Sequence, residues 1–390
     1  MRIECREMVE FAAVLSGSGE MVAPRMPAFV AMVVTRELSC TWLRDSPGTS
    51  LAEASRARFS TASRLPITVW FCLMRVRSVL SLRQKTPARV VKTLRTTAAP
   101  INVELSGGVN FGGNGGTNAT LKAVYTADTL YMLVRYADPT NSQRRGPFQK
   151  QADGSWKKLV DPADKGGDDN VYYEDKWAMI WPINNSVKGF SESGCGVACH
   201  AGEPGKPYGN KYTASAGEIA DMWHMKGGRT APLGKVDDQY LDHTRFDAKA
   251  SPNAGRKSDP SGAEYSGFGL VNGKPQFMNK DAKPANAGGG YYIVRGNEVP
   301  FDDSKFKPGD EVASYVINPL VGDRSDINVV TSWNNGMLTS VVSRKLVTGS
   351  KLDVQFADLG GQYAFGFAAF DNAQVRHAVH WGPLYLKFAQ

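Results

Sequence analysis

The sequence predicts an all-β fold, a β-sandwich with long loops and a few short helices, over residues 98–390. Three observations carry this expectation. Short runs alternate apolar and polar residues, as a strand with one buried face does. Few stretches sustain a 3.6-residue period. Between the runs lie long connections rich in Gly, Pro, Asn and Asp, which favour a sandwich over a repeating β-α-β sheet.

The elements follow in chain order. TLKAVYT (120–126) and TLYMLVRY (129–136) flank Ala127 and Asp128, a two-residue connection suited to a hairpin. KWAMIWPI (176–183) is mostly apolar and suits a strand covered on both faces. Residues 312–317, 338–342 and 362–370 are further strand candidates, and 219–229 is the best short helix. In 351–356, Leu352, Val354 and Phe356 are expected to point one way and Lys351, Asp353 and Gln355 the other. Asp168, Asp169, Glu174 and Asp175 read as a solvated acidic loop at a strand entrance. The loops 201–217 and 251–290 are longer than a compact domain ordinarily carries without a function.

Residues 1–97 read differently. The first 100 residues hold 15 of the 46 basic side chains and 7 of the 38 acidic ones, so the whole excess of +8 lies there. The remaining 31 basic and 31 acidic residues cancel, which removes the electrostatic reason for the body to bind nucleic acid. Three of the five cysteines, Cys5, Cys40 and Cys72, lie in this first section without ligand spacing. It is expected to be a poorly ordered extension, a targeting segment or a mis-called start. The apolar runs at 21–34 and 65–74 are too short to span a bilayer, and neither is an intact export signal.

The chemistry concentrates in GCGVACHAG (194–202). Three readings compete for Cys195, Cys199 and His200. A disulfide would close a very small loop, contribute little loop entropy, and leave His200 unexplained. A zinc site would need a fourth ligand, and no second pair stands at ligand spacing. Covalent haem attachment uses all three: two thiols form thioethers with the ring and the next histidine is held beneath the iron. This is the C-x-x-C-H pattern with one added spacer residue. An electron carrier ligated in this way needs a second axial ligand. His224, His243, His377, His380, Met222 and Met225 are the available side chains, His243 being expected at the surface. His377 and His380 are three apart on an expected strand, so only one can face the iron. Ala364, Gly366 and Ala368 give the preceding strand a face flat enough for a porphyrin. Trp177, Trp181, Trp223 and Trp381 read as core or as haem wall. The chain has no G-x-x-x-x-G-K phosphate loop.

Six segments together resemble the haem-binding domain family related to the ethylbenzene dehydrogenase gamma subunit, grouped with cytochrome c-552 and dimethylsulfoxide-reductase-type haem subunits. They are LKAVYTADTLYMLVRYADPT (121–140), YEDKWAMIWPI (173–183), GCGVACHAG, DMWHMKGGRT (221–230), SRKLVTGSKLDVQF (343–356) and FAAFDNAQVRHAVHWGPLYLKF (367–388). The resemblance implies an immunoglobulin-like β-sandwich holding one haem at an edge. Some members of that family hold haem b through a methionine in the loop and a lysine in the last strand. Here the matching positions carry His200 and, by alignment, His377. The resemblance therefore implies a single covalent haem c, joined at Cys195 and Cys199, with His200 as proximal and His377 as distal ligand. His224 and then His380 are the alternatives for the distal position. The expected function is one-electron transfer in the periplasm with a redox partner protein, a molybdenum oxidoreductase or a membrane quinol-linked cytochrome. No catalytic residues, nucleic acid or transmembrane span are expected. The competing functions are a haem enzyme or gas sensor with a displaceable distal ligand, and a non-haem binding module with a Cys195–Cys199 disulfide.

Overall fold

The computed structural model describes residues 31–34, 40–43, 98–161, 171–200 and 211–388. The chain divides into two units, Met1–Pro87 and Ala88–Gln390. Within the first, Ala31–Val34 pairs antiparallel with Cys40–Leu43. Apart from those two strands, the residues 1–97 expected to be poorly ordered lie outside the described residues, as do Asp168 and Asp169.

The second unit is an all-β sandwich. Its main strands are β1 (Ile101–Leu105), β2 (Thr117–Tyr125), β3 (Thr129–Ala137), β4 (Lys176–Pro182), β5 (Ala220–Lys226), β6 (Asp237–Leu241), β7 (Arg256–Ser258), β8 (Asn328–Asn334), β9 (Met337–Lys345), β10 (Gln362–Phe370), β11 (Ala378–Val379) and β12 (Leu384–Lys387). One antiparallel sheet runs β8-β9-β3-β2-β1; the other runs β7-β6-β5-β4-β10-β11, with β12 also paired to β10. The hairpin expected at 120–136 is the β2–β3 pair, in register from Tyr125 opposite Leu130 to Ala119 opposite Tyr136.

Alternation decides what fills the space between the sheets. From the first sheet come Leu121, Met132, Val134, Tyr136 and Val342; from the second come Trp177, Met179, Trp181, Trp223, Phe365 and Phe367, all in one buried cluster. Trp181 stacks on Phe365 at 4.4 Å and meets Trp223 at 5.2 Å. Trp177 donates its Nε1–H across the gap to Ser340 Oγ at 3.0 Å, satisfying a polar group that burial would otherwise penalise. Three of the four tryptophans are thus core.

The expected helix at 219–229 is instead strand β5. All seven of its residues are buried, because it has the sandwich core on one side and a second apolar layer on the other. A strand buried on both faces loses its alternation and cannot be told from a buried helix by periodicity. The expected strand at 351–356 is an irregular segment instead. Val354 and Phe356 point inward, but Asp353, expected to point the other way, does too and is fully buried. Glu174 and Asp175, expected in solvent, are also buried. Glu174 accepts from the Gly228 and Arg229 amides and pairs with the Arg229 side chain; Asp175 accepts from the Ser142 and Asn372 amides. The long segment 251–290 folds into short ladders, among them Phe277–Asn279 with Glu298–Pro300. No helix among the described residues is long and apolar enough to cross a membrane.

Candidate functional site

The outward face of the second sheet builds the site. Where a sandwich ordinarily turns polar residues to water, β4 presents Ala178 and Ile180, β5 presents Met222 and His224, and β10 presents Gly366, Ala368 and Phe370. These line a cavity of about 1030 Å³, at the top of the roughly 300–1,000 Å³ range of cofactor sites. The small residues on β10 leave a flat ledge.

The cysteine loop closes over one end of that ledge. Val187 and Phe190, at the start of the four-residue helix α1 (Phe190–Ser193), are buried against the sheet and anchor it. The chain then turns at Gly194, whose φ of 55° is a left-handed value that glycine adopts without strain. A Cβ there would lie 2.7 Å from the Gly382 carbonyl carbon, so Gly194 also permits the close approach of the C-terminal strand. The amides of Ala198 and His200 both donate to Cys195 O, at 3.2 and 3.1 Å, curling the loop so that Cys195, Cys199 and His200 all reach the cavity. Cys195 Sγ packs on Gly366, where an added Cβ would stand 2.2 Å from the sulfur. Both cysteines are free thiols. Burial pushes the Cys199 thiol up to about 11 and the Cys195 thiol further, so neither is a thiolate at neutral pH. Among the described residues, no metal-sized group of three ligand atoms includes either cysteine or His200.

The histidines sort by geometry. His377 reaches the cavity from the residue preceding β11, and its Nε2 lies 3.1 Å from His200 Nε2. Its Nδ1 is 2.7 Å from Val375 O, an atom that only accepts, so Nδ1 carries the proton and Nε2 offers a lone pair. Burial, reinforced by His200, pushes His377 down to about 4; burial also lowers His200. His224 points into the same cavity. Its Nδ1 lies 3.1 Å from Gln239 Oε1 while its Nε2 is buried and unpartnered. Burial, with Lys226 and Lys176 adding, holds it well below the usual histidine range. His380 turns away, placing Nδ1 3.2 Å from Glu104 O, and His243 is exposed. Trp381 stands beside His200 with ring centroids 5.4 Å apart and is 54% exposed. Met222 lines the cavity; Met225 belongs to the core.

The far wall is cationic, a feature that sequence reading missed. Arg145, Lys226, Arg229 and Arg256 line it, against Glu264 as the one acidic liner among the described residues. Arg145 Nε is buried without an acceptor. Lys226 and Arg229 are held by Asp237 and Glu174, and removing either acid would strand a buried cation at a cost of about 3–5 kcal/mol. These side chains come from segments far apart in sequence, so no local motif announces them. The only signal was the Lys226 to Arg229 portion of DMWHMKGGRT.

Fold and site together define a β-sandwich with a cavity on the outside of one sheet, with thiols and imidazoles gathered at one end and cations at the other. The chain belongs to the ethylbenzene dehydrogenase family, which matches residues 96–381. No curated protein matches the sequence. Among solved structures, it is similar to a family 9 carbohydrate-binding module from Caldicellulosiruptor kristjanssonii. The glucose complex of that module gives 9% identity and a TM-score of 0.27, covering 78% of this chain and 90% of that one. The cellotriose complex gives 10% and 0.24, covering 75% and 91%.

Proposed function

We propose that this domain is a c-type haem carrier that passes single electrons to or from a partner redox enzyme. The observation that carries the reading is the meeting of His200 Nε2 and His377 Nε2 at 3.1 Å beside two free thiols. His377 Nε2 offers its lone pair toward His200 Nε2, and the two imidazoles converge from separate elements, an arrangement that suits an ion between them once the shared proton is displaced. The pair would open by about 1 Å to admit one at a metal–imidazole distance of roughly 2 Å. The neutral state of both imidazoles is the ligating state. Haem, when bound, supplies a one-electron iron couple.

The chain's own residues do the rest. Cys195 and Cys199 would hold the group covalently, His200 and His377 would be the ligands of its iron, and Gly366 and Ala368 would line the sheet side of the site. Arg145, whose buried Nε has no acceptor, and Arg256 would supply cations for the group's carboxylates. With two protein ligands no open position is left for a substrate. Trp381 and His200 set the group next to the surface, where a partner can exchange electrons with it. Family membership supports a redox-complex setting, and thioether attachment outside the bacterial inner membrane makes the periplasm the expected compartment. The partner is then a molybdenum oxidoreductase or a membrane quinol-linked cytochrome.

Mass spectrometry of protein from a maturation-competent host should show one added haem that survives denaturation. Colourless protein from such a host defeats the reading. His377→Ala should convert a low-spin visible spectrum to high-spin. A spectrum that stays low-spin reassigns the distal position to His224, whose unpartnered Nε2 faces the same cavity. A five-coordinate spectrum in the unsubstituted protein, shifting with carbon monoxide, would favour the enzyme or sensor reading instead.

A further inference from the structure

A second cluster of ionisable groups lies on the opposite side of β5 from the cavity. Asp221 precedes Met222 on β5, and Asp238 on β6 sits opposite Trp223, so both turn toward the inter-sheet core. Asp353, from the irregular segment before Phe356, joins them. The three carboxylates are 0% exposed, and one oxygen of each lies within 4.8 Å of one oxygen of the other two. Asp259 packs beside Asp353 and Asp326 beside Asp238, carboxyl to carboxyl. Asp323 and Asp326 form a second such group with Asp353.

What separates this cluster from an ordinary buried network is the missing donors. Asp221 Oδ1, both oxygens of Asp238, both of Asp259, Asp326 Oδ1 and Asp353 Oδ1 are buried and accept no hydrogen bond. Arg344 is the cation among them. Its Nη2 lies 3.0 Å from Asp353 Oδ2 and 3.5 Å from Asp221 Oδ2, without the alignment of a hydrogen bond. One guanidinium cannot balance this many buried carboxylates, and two acceptors in contact repel unless something positive stands between them. The other acidic group, Asp138, Asp175 and Asp371, is the contrast. There the Asp175 and Asp371 oxygens accept from backbone amides and side chains, and Asp138 Oδ2 alone is unpartnered.

We infer that Asp221, Asp238 and Asp353, with Asp259 and Asp326 beside them, form a calcium site at the end of the sandwich core. All the donors are hard oxygens, which excludes soft-metal chemistry. Seven unpartnered oxygens match the 6–8 ligands calcium takes. Oxygens on opposite sides of one calcium are at most about 5 Å apart, and one oxygen each of Asp221, Asp238 and Asp353 meets that limit. Magnesium fits less well, since it keeps several waters and demands a near-ideal octahedron. Calcium there would tie β5, β6 and the 346–356 segment together whether or not the outer cavity is filled.

The test uses the full chain. Elemental analysis of protein purified without chelator should find about one calcium per chain. Dialysis against EGTA should lower the melting midpoint. Calcium at a hundredfold excess over its Kd should raise it again by about 5 °C, and the same concentration of magnesium should not. Asp238→Asn and Asp353→Asn should each weaken calcium binding at least tenfold by calorimetry. Their chelated forms should melt no lower than the chelated parent, because each removes an uncompensated charge. Should those variants fail to fold, the calcium content and EGTA response of the unsubstituted protein decide. Protein without stoichiometric calcium, whose midpoint ignores both EGTA and added calcium, overturns the inference: the carboxylates are then held protonated. The visible spectrum is expected to be unchanged throughout, so this outcome is independent of the haem reading.

Discussion

At the scale of single residues, the site depends on what glycine leaves out. Gly366 has no Cβ because Cys195 Sγ occupies that place, 2.2 Å from where one would stand. Gly366→Ala should therefore destabilise by about 1–3 kcal/mol, the range for overpacked cores, read from denaturant midpoints. Combined with Cys195→Ala it should cost clearly less than the two single changes added together; strict additivity would refute the contact. The histidines give a pH signature. His377 is held down to about 4 by burial and by His200, so between roughly pH 4 and 6.5 the unfolded chain binds more protons than the folded one. Stability of the haem-free protein conferred by this residue is full above about 6.5 and is lost as pH falls toward 4. The difference profile between the parent and His377→Phe should show that slope, and a flat difference would refute it. That Cys195, Cys199 and His200 stand together was legible because their spacing is local. His377 was reached through resemblance, and only the structure shows its Nδ1 fixed by Val375 O.

At the scale of elements, burial on both faces did not by itself decide legibility: β4 is buried almost throughout, yet its short apolar run read as a strand. The hairpin β2–β3 was readable to within a few residues because of its two-residue connection, although β3 buries Leu130 to Val134 without a break. β5 buries both faces, so its 2-residue period vanished and it resembled a helix. Segment 351–356 failed in the other direction: its alternation is real, but Asp353 turns into a carboxylate cluster that no sequence pattern marks. The ledge on β4 and β10 offers a direct test of the outer face. Ala368→Leu should leave the fold intact by circular dichroism while reducing haem incorporation several-fold, because it fills the floor and not the core. Trp177→Ala, on the opposite face of β4, should do the reverse. It should cost about 3–5 kcal/mol, since it empties the inter-sheet core and removes the donor to Ser340 Oγ.

At the scale of the whole molecule, fold class was the most readable property, because short alternating runs and long polar loops leave few other architectures. The charge balance was equally readable: the excess lies in the first 100 residues and the remainder sums to zero. The cavity was not readable. Its cationic wall draws on Arg145, Lys226, Arg229 and Arg256, which meet only after the sandwich has closed. A space of about 1030 Å³ beneath a loop should make the haem-free protein locally weak there before it is weak globally. Limited proteolysis should cut first within residues 187–200 in that form, and much more slowly once haem is attached. Equal cleavage rates would argue against a ligand under the loop.

The packing of Cys195 on Gly366 also bears on the timing of biogenesis. That sulfur is only 5% exposed, so a maturation enzyme cannot reach it once the loop has settled on the sheet. On the haem reading, ring and thiol must be joined while the chain is still loosely formed, and closure of the loop then seals the product. Folding kinetics and attachment kinetics would run in competition, and a variant that closes too quickly would accumulate as permanently pale protein.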